Sequence, residues 1–161
     1  DTMKYSIVFS SVTGNTKKLS ETIKNKVDEC YFGKPCDEAL EADIIFIGFW
    51  TAGNSCGADI KAFIEKLSGK KVFIFGTAGY DNTKENFSGI LDSVKKLVPQ
   101  SNTIIGTYMC QGRVSDAIQN KIKEATPEKF EAIKDNLVES LNHPNENDIK
   151  LLISEIDKIN L

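Results

Sequence analysis

The chain has 161 residues, 20 Lys and Arg against 23 Asp and Glu, a formal charge of −3, and 40% hydrophobic residues. These values are typical of one soluble domain and exclude two large ones. Nucleic acid is an unsuitable partner, since its phosphates require clustered cations and the chain has no such cluster. Apolar runs such as residues 44–50 are far shorter than the roughly 20 residues of a bilayer span, so we expect a cytoplasmic protein without a signal peptide.

The cysteines and the histidine indicate no metal site and no catalytic residue. Cys30, Cys36, Cys56 and Cys110 form no C-x-x-C pair, and a domain of this length needs no disulfides to hold its core. We interpret Cys56 and Cys110 as small apolar core residues, because no basic neighbour in the sequence would lower their pKa. His143, which precedes a proline, is expected in a surface turn and cannot hold a metal alone.

Apolar runs alternate with amphipathic stretches, which predicts strands separated by helices. The predicted strands are residues 4–9, 30–32, 43–50, 71–75 and 103–109. The predicted helices cover residues 15–27, 60–67, 87–97, 114–124, 127–141 and 146–159, with one turn at 37–41 and a loop at 77–81. This order favours βαβ crossovers and an open, doubly wound parallel sheet of the α/β class. We predict a single domain over residues 1–161, with its core in 3–124 and a C-terminal helical extension in 127–161.

The loop after the first strand is rich in hydroxyl groups. Residues 10–16 read Ser-Ser-Val-Thr-Gly-Asn-Thr and run directly into a helix. A helix N-terminus with hydroxyl donors binds phosphate without a lysine, although Thr and Asn also serve as ordinary N-caps. The spacing matches neither G-x-G-x-x-G nor the P-loop. A receiver domain would need acidic residues where Ser10 and residues 49–50 stand.

Residues 11–16 resemble the FMN phosphate-binding signature of flavodoxins, in which Thr-Gly-x-Thr follows a hydroxyl residue and any residue. The resemblance covers residues 3 to about 124. The tail is similar to a divergent bacterial branch of short flavodoxin-like proteins, some of which resemble companions of a bilirubin-reducing enzyme. The resemblance implies a five-stranded sheet of order 2-1-3-4-5 and FMN as the cofactor.

The resemblance also implies the residues of the site. Those that would hold the phosphate are Ser10, Ser11, Val12, Thr13, Gly14, Asn15 and Thr16. Those that would flank the isoalloxazine ring are Trp50, Thr51, Ala52, Gly53, Asn54, Thr77, Ala78, Gly79 and Tyr80. Flavodoxins commonly carry the first ring tryptophan nearer to Ala52, so Trp50 is either a ring residue or strand-end core. Gly53 and Gly79 either approach the ring with their backbone or only turn their loops.

Three functions follow from this interpretation. The first is an FMN-binding electron carrier between a reductase and a partner redox enzyme, present as a monomer or weak dimer. The second is an NAD(P)H-dependent flavin or quinone reductase of the same fold, and the third is a flavin-free interaction module. Arg113, the single arginine, either meets a partner's carboxylate or is solvated.

Overall fold

A parallel sheet between two layers of helices forms the body of the molecule. The computed structural model describes residues 4–11, 13–28 and 30–159. The predicted site residue Val12 and the predicted domain limits at Met3 and Leu161 lie outside these residues. Within the described part of the chain, every helix is too short or too polar to cross a bilayer.

The five strands run parallel in the order β2-β1-β3-β4-β5, which confirms the predicted class and order. Their bounds are β1 Tyr5–Phe9, β2 Cys30–Gly33, β3 Ile44–Trp50, β4 Lys71–Ala78 and β5 Thr103–Gln111. β3 and β4 are almost fully buried, because helices cover the sheet on both faces. The short β2 is an edge strand that pairs with β1.

Six helices and one 3-10 turn connect and flank the strands. They are α1 Asn15–Lys24, the turn Asp37–Glu41, α2 Ala58–Glu65, α3 Lys84–Lys95, α4 Asp116–Ala125, α5 Pro127–Ser140 and α6 Glu146–Asp157. One apolar cluster joins the sheet to α2 and α3, and a second joins its other face to α1 and α6. The sheet is therefore wound on both faces, and α4 lies outside both clusters.

β4 and β5 extend furthest beyond their predicted ends. β4 continues to Ala78, so Thr77 and Ala78 belong to a strand and not to the predicted loop. β5 continues to Gln111, and in the ladder Thr77 lies opposite Cys110 and Ala78 opposite Gln111. Pairing with a neighbouring strand extends both segments, and this pairing is a tertiary interaction that single-strand patterns do not show.

Candidate functional site

A cavity of about 330 Å³ opens at the carboxyl ends of the strands, where α/β sheets bind ligands. Its volume lies in the range of roughly 300–1,000 Å³ usual for small-molecule sites. The structure brings eight of the sequence-predicted residues to this cavity: Thr13, Asn15, Trp50, Thr51, Thr77, Ala78, Gly79 and Tyr80. Segments that are far apart in the chain therefore meet at one place.

The Ser11 side chain closes the loop before α1. Gly14 is the N-cap and has a left-handed φ of 89°, a conformation that favours glycine. The Ser11 hydroxyl oxygen accepts from the backbone N–H of Gly14 at 3.1 Å and from that of Lys17 at 3.4 Å. Ser11 thus performs a capping role, while the loop presents the N-terminus of a ten-residue helix.

The Thr16 hydroxyl, in the first turn of α1, is buried without a hydrogen-bond partner among the described residues. The residue is fully buried, and its Oγ1 makes no hydrogen bond among the described residues. An unsatisfied buried hydroxyl costs about 1–3 kcal/mol. Such an atom beside a helix N-terminus fits a bound oxyanion, because a phosphate oxygen would accept from the hydroxyl and from backbone N–H groups of the same turn.

The Asn15 side chain joins two loops. Its Nδ2 donates to the Arg113 carbonyl at 3.0 Å and to the Thr13 hydroxyl at 3.1 Å, while its Oδ1 accepts from the Arg113 N–H at 3.1 Å. Asn15 and Arg113 are 98 positions apart in the chain. The amide therefore ties the start of α1 to the segment that follows β5.

Two half-exposed aromatic residues stand at the other end of the cavity. Trp50 and Tyr80 are each 38% exposed. Trp50 is the last residue of β3, and its exposure shows that it is not a core residue. Thr51 fixes its loop by donating both its N–H (3.0 Å) and its hydroxyl (2.8 Å) to the Thr77 carbonyl. The Lys129 ammonium lies 4.7 Å from the centre of the Tyr80 ring and 3.2 Å from its hydroxyl.

The remaining predicted residues do not line this cavity. Ala52, Gly53 and Asn54 form a tight turn that is closed by two backbone hydrogen bonds between Ala52 and Ser55. Gly53 and Asn54 have positive φ angles of 56° and 63°, and Asn54 borders a different groove beside α3. In the phosphate loop, Ser10, Ser11 and Thr16 are not among the lining residues, and Gly14 borders an adjoining groove.

Residues after β5 complete the cavity, and sequence reasoning missed them as site residues. They are Gly112, Arg113, Val114, Ile118 and Ile122. A Cβ on Gly112 would lie 2.7 Å from Asn15 Nδ2 and 3.0 Å from Thr77 Cβ, so only glycine permits this approach. The available signal was the position of Gln-Gly after the last strand, at the same sheet edge as the other loops.

The Gln111 side chain holds the loop of Gly79 in place through hydrogen bonds. Its buried Nε2 donates to the carbonyls of Gly79 at 2.8 Å and Asn136 at 3.0 Å, and its Oε1 accepts from Asn82 Nδ2 at 3.2 Å. One side chain therefore joins β5, the loop of Gly79 and α5. Sequence reasoning gave Gln111 no role.

The adjoining groove, of about 340 Å³, brings the turn after α5 to the phosphate loop. Lys18 of α1 donates from Nζ to the Pro144 carbonyl at 2.6 Å. His143, expected in a surface turn, is mostly enclosed, with Nδ1 2.6 Å from Asp148 Oδ2 and Nε2 2.9 Å from Glu139 Oε1. Burial alone would lower the pKa of His143, but both carboxylates outweigh it and raise the pKa above its ordinary value.

The side chains of Cys56 and Cys110 are buried free thiols. Burial raises the pKa of the Cys56 thiol and that of Cys110, so both remain protonated and weakly nucleophilic. Over the residues that the structure describes, no cluster of three or more Cys, His, Asp and Glu side chains is placed to hold a metal ion.

The sheet order and the hydroxyl-rich loop at its first β-to-α turn define a flavodoxin-like α/β protein. A family model described as "Flavodoxin domain" matches residues 6–156. This match spans most of the chain, which therefore belongs to the flavodoxin domain family.

Individual relatives agree with this assignment. The chain is 30% identical over 159 residues to the flavodoxin-like domain-containing protein BilS of Clostridioides difficile, covering 91% of this chain and 90% of that protein. Among solved structures, oxidised Flavodoxin 2 from Bacillus cereus matches with a TM-score of 0.58 at 19% identity, over 97% of this chain and 99% of that one. A Lactobacillus acidophilus flavoprotein, solved in complex with FMN, matches with a TM-score of 0.54 at 15% identity, over 68% of this chain and 94% of that one.

Proposed function

We propose that this protein is an FMN-binding electron carrier that takes electrons from a reductase and passes them to a partner redox enzyme. Its cofactor is FMN, which its family and the complex of the Lactobacillus acidophilus flavoprotein support. The observation that carries the assignment is the buried Thr16 hydroxyl at the N-terminus of α1, which has no hydrogen-bond partner among the residues that the structure describes. A phosphate is the ligand that this position fits.

Different residues would bind the phosphate and the ring of FMN. Thr16 and the backbone N–H groups of the first turn of α1 would hold the phosphate, and Trp50 and Tyr80 would hold the ring. Bound FMN supplies the one- and two-electron chemistry, and the protein positions it and sets its electrostatic surroundings. The Lys129 ammonium lies 4.7 Å from the centre of the Tyr80 ring and places a positive charge at the ring end of the cavity.

The exposure of the ring end supports a carrier. Trp50 and Tyr80 are both exposed at the mouth, so a partner protein can approach that end of the cavity directly. Arg113 is exposed on the same rim, where it would meet a carboxylate of the partner. We infer a monomer or weak dimer that forms transient complexes with its two redox partners.

The test is a titration of the apoprotein with FMN, followed by the quenching of flavin fluorescence. Thr16→Val should weaken FMN binding by roughly 10- to 100-fold, since a hydrogen bond to a charged group is worth about 1.5–3 kcal/mol. The same change should not lower the free energy of unfolding of the apoprotein, because it removes an unsatisfied hydroxyl. Thr22→Val is the matched control: its hydroxyl donates to the Lys18 carbonyl on α1, away from the cavity, and FMN affinity should stay unchanged.

Two results would contradict the proposal. If the apoprotein binds no FMN at micromolar concentrations, the flavin-free interaction module is the remaining function of the three. Steady NADPH consumption by the purified holoprotein, with a quinone or free flavin as acceptor, would replace the carrier by the reductase. A carrier should consume NADPH only after a separate reductase is added.

A further inference from the structure

The segment that follows β5 forms a side of the cavity to which the sequence assigned no role in cofactor binding. It begins at Gly112 and Arg113, continues through Val114 and enters α4, from which Ile118 and Ile122 line the same cavity. We name residues 112–122 the third wall. The other two sides are the loop of Trp50 and the loop of Tyr80.

The apolar side chains that α4 contributes to the third wall are partly open to solvent. All residues of α4 are described and none is buried, and Ile118 is 41% exposed. Six large hydrophobic side chains are exposed over the described residues, and three of them, Trp50, Tyr80 and Ile118, line this one cavity. Exposed apolar groups that converge on a cavity indicate a ligand with a large apolar face.

Asn15 fixes the third wall and has no donor left for a phosphate. A side-chain amide carries two donor hydrogens, and those of Asn15 are directed to the Thr13 hydroxyl and the Arg113 carbonyl. Its oxygen accepts from the Arg113 N–H. The close approach of Gly112 to the Asn15 amide belongs to the same contact. Asn15 was expected among the phosphate ligands. In this geometry its side chain instead links two loops through hydrogen bonds.

We propose that the third wall contacts the isoalloxazine ring through Ile118, and that Asn15 is the positioning residue that holds this wall in place. This inference rests on the proposed binding of FMN in the cavity. It assigns Asn15 to recognition of the ring and leaves the phosphate to Thr16 and the backbone of α1. It also gives α4, which buries no residue in the body of the domain, a function in binding.

Riboflavin, which has the ring and lacks the phosphate, separates the two roles. The apoprotein and its Asn15→Ala, Ile118→Ser and Thr16→Val variants are titrated with FMN and with riboflavin. Asn15→Ala and Ile118→Ser should weaken the binding of both ligands by the same factor, roughly tenfold. This factor corresponds to the free energy of burying one apolar side chain. Thr16→Val should weaken FMN alone. Val138→Ser is the matched control for Ile118, because Val138 is exposed on α5 and does not line the cavity, and both affinities should stay at wild-type values.

A second measurement needs no ligand. Hydrogen exchange of the apoprotein should show faster exchange of the Arg113 amide in Asn15→Ala, since that N–H donates to Asn15 Oδ1. Exchange in the strands should remain at wild-type rates, which distinguishes a local release of the third wall from a general loss of stability. Asn15→Asp keeps the acceptor for Arg113 and loses both donors, so it should restore protection of this amide relative to Asn15→Ala.

The outcomes are distinct. If Asn15→Ala weakens FMN and spares riboflavin, Asn15 is a phosphate ligand and the positioning role is wrong. If Ile118→Ser changes neither affinity, the ring does not contact the third wall. If the wild-type apoprotein binds neither flavin, the proposed function itself fails, and the exchange result for Arg113 then describes only a structural tie.

Discussion

The two ends of the cavity are built in different ways. At the phosphate end, the residues are consecutive, and local features shape the loop: the left-handed Gly14 and the Ser11 hydroxyl that accepts from two nearby N–H groups. At the ring end, residues from three distant segments meet, and single side chains such as Asn15 and Gln111 join them. A short segment is sufficient for an anion site, whereas a ring site requires the whole sheet edge.

Among substitutions that distinguish the two ends, the largest effect is expected at Gly112. In Gly112→Ala the new Cβ would lie 2.7 Å from Asn15 Nδ2, which forces the two loops apart. We expect the free energy of unfolding to fall by about 2 kcal/mol and FMN affinity by roughly tenfold. Both are measured by urea unfolding and flavin titration.

Gly89→Ala is the control for this change. No heavy atom lies within 4 Å of a Cβ at Gly89, in the middle of α3, so alanine should stabilise the protein by about 0.5–1 kcal/mol. Equal behaviour of the two variants would mean that the contact between Gly112 and Asn15 does not hold the ring end.

A smaller effect is expected at His143, on the phosphate side. The pKa of His143 is raised in the folded protein, so its contribution to stability is complete below the unfolded value of roughly 6.5 and is lost as the pH rises through the folded value. His143→Gln should therefore lower the free energy of unfolding by about 1–2 kcal/mol near pH 6, with a difference that shrinks at alkaline pH. Urea unfolding across pH 5–9 measures this difference.

Glu131→Gln is the comparison for the pH series. Glu131 pairs with Lys134 on the exposed surface of α5, and this pair should contribute little at any pH in the range. A pH-independent effect of His143→Gln would show that its proton does not stabilise the turn that borders Thr13 and Gly14.

The smallest effect is expected at Lys129. Its ammonium lies over the exposed Tyr80 ring, and such a contact is worth about 0.5–1 kcal/mol. Lys129→Met should change the free energy of unfolding by no more than this amount and FMN affinity by less than roughly fivefold. Lys123→Met, whose ammonium lies 5.6 Å from the Phe130 ring, is the control and should leave FMN affinity unchanged. A large loss of affinity in Lys129→Met would mean that the ammonium, and not the third wall, orients the ring.

Most of the fold was predictable, because the buried strands carry continuous apolar runs and the helices carry an apolar stripe. The ends of β4 and β5 were not predictable, because Thr77 and Gln111 are polar. Each residue belongs to a strand because it pairs with the neighbouring strand, Thr77 with Cys110 and Gln111 with Ala78. The phosphate loop was visible as a motif. The place of Ile118 was not, because an apolar residue on a helix looks the same whether it faces the core or a cavity.

The amino-acid pattern was enough to predict the alternation of strands and helices and a hydroxyl-rich turn at a helix N-terminus. The strand order came from the flavodoxin resemblance. Three features follow only from the three-dimensional packing: the Asn15 amide reaches Arg113, the Thr16 hydroxyl has no partner among the described residues, and α4 lines the cavity. The physical reason is that hydrogen-bond satisfaction and exposure depend on groups that are distant in the chain, and a sequence pattern reports only its own neighbours.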